Sequence, residues 1–294
     1  MNIKEFSKKL QTLLAPILKA EIQIKENLKL NGVRLTGLII KNSESNVSPT
    51  IYLNPYYDRF LETGDLSEAV AGIIREYQSC KPAESFDMEW FKDFNQVKHK
   101  ICYRLIHYDS NRALLDSIPH TRYLDLARVY YIQCQVNDAF SGSITVSNAH
   151  LDMWKTTVNE LDSLAEHNTP ALLEPSFKRI EDILFDGEDC ELSEAEPDDI
   201  PRMYVLTNKQ RSNGAAAMHY PGLLGAFSAK TGKDTIILPS SIDEVLLLPL
   251  NKGDNIDSLR EMVRSVNETQ VAPEAKLSDN VYVYRRDTGQ LIIA

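Results

Sequence analysis

Apolar residues recur at three- and four-residue spacing from the first turn of the chain. Ile3, Phe6, Leu10, Leu13 and Leu14 fall on one stripe, which predicts an amphipathic helix. Pro16 ends or kinks it and leaves Ile17 to the exit turn, because proline interrupts the helical hydrogen-bond ladder. The pattern then alternates over residues 21–26, and Asn31-Gly32 supplies a tight hairpin turn into a strand at 33–41. A short strand over 50–53 stops at Asn54-Pro55. Asp65 with Glu68 predicts a capping box for a helix with Leu66, Ile73, Ile74 and Tyr77 on its apolar face, and a second helical segment covers 87–97. Strand-like runs at 101–108 and 129–135 flank a short helix near 112–117, and a further strand covers 143–147. Helices follow near 149–155 and over 158–166, the latter capped by Thr157, and a last one starts with Pro175 in its first turn and runs to 184.

Beyond residue 200 the order is strand (203–207), helix (215–229), strand (235–238), strand (245–248), helix (256–267), strand (281–285) and a short final strand (290–293). A β-α-β-β-α-β order predicts a split βαβ, ferredoxin-like sheet with two helices on one face. The fold class is therefore α+β, with mixed or antiparallel sheets and packed helices.

Charge sharpens the domain reading. The net charge is −10, but ten acidic residues and no basic one lie between Glu181 and Asp199, leaving 32 acidic against 32 basic residues elsewhere. The acidity is local, and its composition is that of a linker or exposed loop. It divides an N-terminal α+β domain (1–185) from a C-terminal α+β domain (201–294), with the linker at 186–200. A neutral body lacks the basic footprint that nucleic-acid phosphates require. Apolar runs such as 245–248 are far shorter than the roughly 18–20 residues of a membrane helix, and the charged N-terminus lacks a signal peptide's apolar core, so a cytoplasmic protein is expected. Cys80, Cys102, Cys134 and Cys190 are widely spaced, with no CxxC and no histidine beside them, which suits reduced thiols.

The most crowded set of reactive side chains is the corner at 235–249, TIILPSSIDEVLLLP, with Ser240, Ser241, Asp243 and Glu244 between two apolar strands. A serine nucleophile needs a base in reach and an oxyanion hole; no GxSxG elbow is present and no histidine lies within twenty residues of either serine. A turn explains Pro, Ser and Asp here more simply. Asp243 and Glu244 are adjacent and diverge on a strand, unlike converging acid/base carboxylates. None of the six histidines forms HxH, HxxxH or HExxH, so no metal site is expected. His219-Tyr220-Pro221-Gly222 ends or interrupts a helix and could line a pocket, although a packing kink fits as well. The acidic run fails the calcium-loop pattern, and the absence of Walker and GxGxxG motifs points to no cofactor. Tyr282 and Tyr284, followed by Arg285 and Arg286, are the nearest thing to a base-stacking strand, though alternating tyrosines more often pack a sheet.

The runs LPSSIDEVLLLP, MVRSVNETQVAPEAKLSDNVYVYRRDTGQL and MYVLTNKQRSNGAAAMHYPGLL resemble the C-terminal part of the YtpQ-like proteins of Gram-positive bacteria. The wider pattern, with NGVRLTGLIIK, PTIYLNPYY and SNAHLDMW, is similar to a related uncharacterised domain family of gut anaerobes. The resemblance covers nearly the whole chain; it implies a cytosolic bacterial protein and brings no activity, cofactor or catalytic residue. Where the pattern commonly has histidine after Ser-Ser-Ile, this chain has Asp243, which a turn tolerates and an imidazole catalyst would not. The expected role is thus non-catalytic binding of a protein or small ligand. The alternative is a hydrolase-like enzyme at the Ser240/Ser241–Asp243–Glu244 corner with His219 folded beside it.

Overall fold

Asn2 opens the first helix, α1 (Ile3–Leu18): its side chain accepts the Glu5 N–H at 3.0 Å while Glu5 accepts the Asn2 N–H at 3.1 Å. The computed structural model describes residues 1–41, 45–80, 87–137, 140–184 and 203–294, arranged as two units, Met1–Trp90 and Phe91–Ala294. Pro16 does not stop α1, which continues to Leu18 and ends at Lys19 in the left-handed region. So close to the helix end, its missing N–H removes only one hydrogen bond of the ladder.

In the first unit, α1 is followed by β1 (Glu21–Leu28), β2 (Arg34–Lys41) and β3 (Thr50–Tyr52), paired antiparallel in that order, with the expected hairpin between β1 and β2. Two helices follow, α2 (Asn54–Thr63) and α3 (Leu66–Cys80). The Asp65 side chain caps α3 by accepting from Ser67 and Glu68 N–H, but Asp65 N–H goes to Thr63 rather than to Glu68, so the capping box is half formed. Phe6, Leu10, Leu14, Leu38, Ile40, Ile51 and Ile73 form the core.

The second unit contains α4 (Phe94–Val97), β4 (Ile101–His107), α5 (Arg112–Leu115), β5 (His120–Tyr123), β6 (Leu126–Asn137), β7 (Phe140–Thr145), α6 (Asn148–Trp154), α7 (Val158–Leu172), β8 (Pro175–Arg179) and α8 (Ile180–Leu184). After the acidic stretch come β9 (Tyr204–Asn208), a 3-10 turn (Gly214–His219), α9 (Leu223–Thr231), β10 (Thr235–Pro239), β11 (Val245–Pro249), α10 (Ile256–Thr269), β12 (Tyr282–Arg285) and β13 (Gln290–Ile293). The long strand β6 organises a four-stranded antiparallel sheet, pairing β4 along one edge and both β5 and β7 along the other. The remaining strands form a six-stranded sheet in the order β13-β12-β10-β11-β9-β8, with every adjacent pair antiparallel. The α+β class read from the sequence is the class of the fold.

Three expectations change. Residues 175–179 form strand β8, not a helix, with Pro175 at the first strand position, where proline is tolerated. Second, β8 pairs with β9 across the acidic stretch, so one sheet joins residues from both sides of the expected boundary, and the units divide at Trp90/Phe91 instead. The 186–200 stretch itself, with Cys190, lies outside the described residues.

Third, the sheet is not ferredoxin-like. A ferredoxin-like sheet places its first strand centrally; here β9 lies outside the β10–β11 hairpin. The crossovers β9→β10 and β11→β12 therefore step the same way across the sheet while starting in opposite directions. Right-handed crossovers of that kind put their helices on opposite faces. That is what is found: Ile236, Leu238, Leu246, Leu248 and Val283 pack with Val263 and Leu259 of α10, while α9 covers the other face, Phe227 meeting Tyr204 edge-on at 5.3 Å. Phe177 stacks on Tyr204 at 4.9 Å beneath α9.

Candidate ligand-binding cleft

The corner Ser240–Glu244 is built as a turn. Ser241 N–H donates to the Glu244 carbonyl, the Ser241 Oγ accepts the Asp243 N–H at 3.0 Å, and the Asp243 carboxylate accepts the Asn213 N–H at 2.7 Å. The Asp243 carbonyl accepts the Thr207 hydroxyl at 2.6 Å, and the Ile242 carbonyl accepts the Ala215 N–H. Ser240 donates to the Glu244 carboxylate at a loose 3.3 Å. A 90 Å³ cavity beside Glu244 is lined by neither serine. The corner's polar groups hold β10 to β11 and seat the 3-10 turn Gly214–His219. His219 is not paired with them; its Nδ1 meets Arg128.

The residues 282–286 separate. Tyr282 is fully buried and donates to the Asp125 carboxylate at 2.8 Å. Arg285 pairs with Asp234 at 2.9 Å, while the Arg286 N–H and guanidinium bond Asp234 and the Gly232 carbonyl. These groups are spent on the turn after α9, and Asp234 is held below the usual carboxylate range by the Arg286 N–H and the Arg285 side chain. Tyr284 alone reaches a cleft.

That cleft, about 230 Å³, opens where Tyr220-Pro221-Gly222 breaks the chain between the 3-10 turn and α9. Gly222 takes a positive φ of 78°, a region other residues rarely enter, and thereby reverses the chain to start α9. Tyr123, Arg128, His219, Gly225, Tyr284 and Leu291 are among its walls, drawn from β5, β6, the 3-10 turn, α9, β12 and β13. The Arg128 side chain is only 13% exposed; its guanidinium lies over the Tyr103 ring at 4.8 Å and reaches Asp162 at 3.5 Å. Asp162 also accepts from Tyr130 at 2.8 Å.

The Arg128 Nε–H donates to His219 Nδ1 at 3.2 Å. Arginine can only donate, so Nδ1 accepts and the ring proton sits on Nε2. Nε2 is buried and has no hydrogen-bond partner among the described residues. Tyr123 packs edge to face on the imidazole at 4.5 Å. Burial first, and the neighbouring Arg128 charge second, push the His219 pKa down to about 3, so the ring stays a neutral Nε2–H donor at pH 7.

This has a measurable consequence. The unfolded ring takes up a proton below its ordinary 6.5, whereas the native ring does not until about 3. Acidification therefore favours unfolding: stability is full above 6.5 and falls as the pH drops toward 3. The loss from this group amounts to about 2 kcal/mol between pH 6.5 and 5, above the range where ordinary carboxylates titrate. Urea unfolding across that window should show the slope, and His219→Gln should flatten it. His150, whose pKa is also lowered by burial, contributes with the same sign and remains in both proteins.

Sequence spacing pointed to His219 and its Tyr-Pro-Gly break, but not to Arg128 or Tyr123, which arrive from strands about a hundred residues earlier with no motif to mark them. No group of three or more His, Cys, Asp or Glu among the described residues is placed to hold a metal ion, and no helix among them is long and apolar enough to cross a membrane. Cys102 is buried, and its thiol is pushed up to about 12 by that burial.

Fold and cleft together define an α+β protein whose second unit carries a small cleft between a four-stranded and a six-stranded sheet. The chain belongs to the family described as DUF5688, a family of unknown function, which it matches over residues 3–286. No curated protein and no solved structure matches it.

Proposed function

We propose that this protein binds a small ligand in the His219 cleft and does not transform it. The observation that carries this reading is the cleft itself, about 230 Å³, in whose wall Tyr123, Arg128, His219 and Tyr284 converge beside the apolar Leu224 and Leu291. The cleft offers donors and apolar surface but no assembled nucleophile and base. The Ser240–Glu244 corner, the natural place for a hydrolase, has its groups committed to the turn. Kinship with the YtpQ-like proteins, and a cytoplasmic setting in Gram-positive bacteria, rest on the resemblance of the LPSSIDEVLLLP and MYVLTNKQRSNGAAAMHYPGLL runs.

Amide chemical-shift mapping with a panel of single-ring compounds, neutral, cationic and anionic, tests the reading. The expected result is a cluster of shifted resonances at Tyr123, His219, Gly225 and Tyr284. Shifts gathered at Ser240–Glu244, or none at the cleft with any compound, would overturn it.

A further inference from the structure

The charge in the cleft wall is already balanced. Arg128 is its one charged residue, and that guanidinium reaches the Asp162 carboxylate at 3.5 Å while its Nε–H is held by His219 Nδ1. His219 is neutral at pH 7 and its Nε2 is sealed from solvent. The hydroxyl of Tyr284 is different: it has no hydrogen-bond partner among the described residues and is not sealed off. Tyr282, on the same face of β12, is by contrast spent on Asp125.

The helix α9 makes room for the Tyr284 hydroxyl. Gly225 lies inside α9 with an ordinary φ, at a position where alanine is the better helix former. Its missing side chain is explained by space: a Cβ there would lie 3.1 Å from Tyr284 Oη, and one at Gly289 would lie 3.5 Å away. The rest of the lining includes Tyr123, Met218, Leu224 and Leu291, and the Tyr123 ring stays partly exposed where it packs on His219. A charged ligand here would give up water without gaining a counter-charge. An uncharged ring would gain apolar contact and one hydrogen bond. The volume, about 230 Å³, falls below the roughly 300–1,000 Å³ of clefts for drug-sized ligands, so the ligand is small.

Resting on the reading of the cleft as a ligand site, we infer that the ligand is a small uncharged aromatic compound with one polar substituent. Its ring is held by Tyr123, Leu224 and Leu291, and its substituent by the Tyr284 hydroxyl. Tyr284 is then the specificity-determining residue.

Benzamide, benzoate and benzamidinium share one planar shape and carry no charge, a negative charge and a positive charge at pH 7. Each is titrated into the full chain and followed by calorimetry and amide shift mapping. Benzamide should bind at the cleft at least about 10-fold more tightly than either ion. Tyr284→Phe should weaken benzamide about 5-fold, the effect of one hydrogen bond. The same variant should leave toluene binding and the urea midpoint unchanged, because that hydroxyl holds nothing in the free protein. Equal or tighter binding of either ion at the cleft, or benzamide binding untouched by Tyr284→Phe, would overturn the inference while leaving the cleft a ligand site. An equal loss for toluene, or a lowered urea midpoint, would assign the hydroxyl to the fold of the wall and overturn it as well. If none of the three isosteres shifts the cleft resonances, the inference and the binding reading fall together.

Discussion

Replacing Asp125 with alanine should destabilise the protein by about 4 kcal/mol, the largest effect expected of any single substitution considered. Asp125 follows Leu124, which holds a positive φ of 55° in the two-residue turn between β5 and β6. Its carboxylate reaches from there to the six-stranded sheet. It accepts the Ser278 hydroxyl at 2.6 Å, the Asn280 amide at 2.9 Å and the Tyr282 hydroxyl at 2.8 Å, with His107 Nε2 at 3.9 Å. Hydrogen bonds to a charged group contribute about 1.5–3 kcal/mol each, and a donor stranded away from water costs about 1–3 kcal/mol. Ser278 and Asn280 can regain water in part; Tyr282, fully buried, cannot. Losing the acceptor is therefore worse than losing one donor, and Tyr282→Phe should cost only about 1 kcal/mol. Urea unfolding at pH 7 separates the two. A loss below about 1.5 kcal/mol for Asp125→Ala would show that this carboxylate does not tie the sheets together. Because Asp125 fixes the turn between Tyr123 and β6, the alanine variant should also disorder the Tyr123 wall of the cleft.

Gly214→Ala should cost about 3 kcal/mol, and its cause is space. A Cβ at residue 214 would sit 2.1 Å from Thr207 Oγ1, 2.5 Å from the Asp243 carbonyl oxygen and 2.8 Å from the Asn208 nitrogen. Two of those three atoms are backbone and cannot swing aside, so either the 3-10 turn lifts off β9 or the Thr207–Asp243 bond breaks. Overpacking of this kind costs about 1–3 kcal/mol, and a lost hydrogen bond adds about 1. The turn that would lift carries Ala215, Ala216, Ala217 and Met218, all buried, and ends at His219. The Ala216 carbonyl there accepts the Tyr103 hydroxyl at 3.3 Å. Ligand binding should consequently weaken along with stability. A Gly214→Ala chain with an unchanged urea midpoint would mean that the 3-10 turn is seated less tightly than these distances require.

Local elements were legible in the chain because their causes are local. The α1 stripe, the Asn31-Gly32 hairpin, the Thr157 cap and the strand–turn–strand at Ser240–Glu244 follow from spacing and turn chemistry within a few residues. Pro175 misled for the same reason. Its first-turn helical preference is real, but pairing of residues 175–179 with 204–208 outweighs it. Strand order is set by long-range pairing, so β-α-β-β-α-β described both a ferredoxin-like sheet and the arrangement found, and the acidic run looked like a boundary although one sheet spans it. Of the cleft, the Tyr220-Pro221-Gly222 break and His219 were visible as a helix interruption. Arg128 was not, since one arginine in the β6 run gives no sign that its guanidinium will meet an imidazole 91 positions away.

The most direct measurement is a crystal structure of the chain soaked with the single-ring compounds of the shift-mapping panel. The account predicts a bound ring against Leu224 and Leu291, between Tyr123 and Tyr284. An empty cleft with every compound at saturation, or a compound seated instead at the Ser240–Glu244 corner, would contradict it.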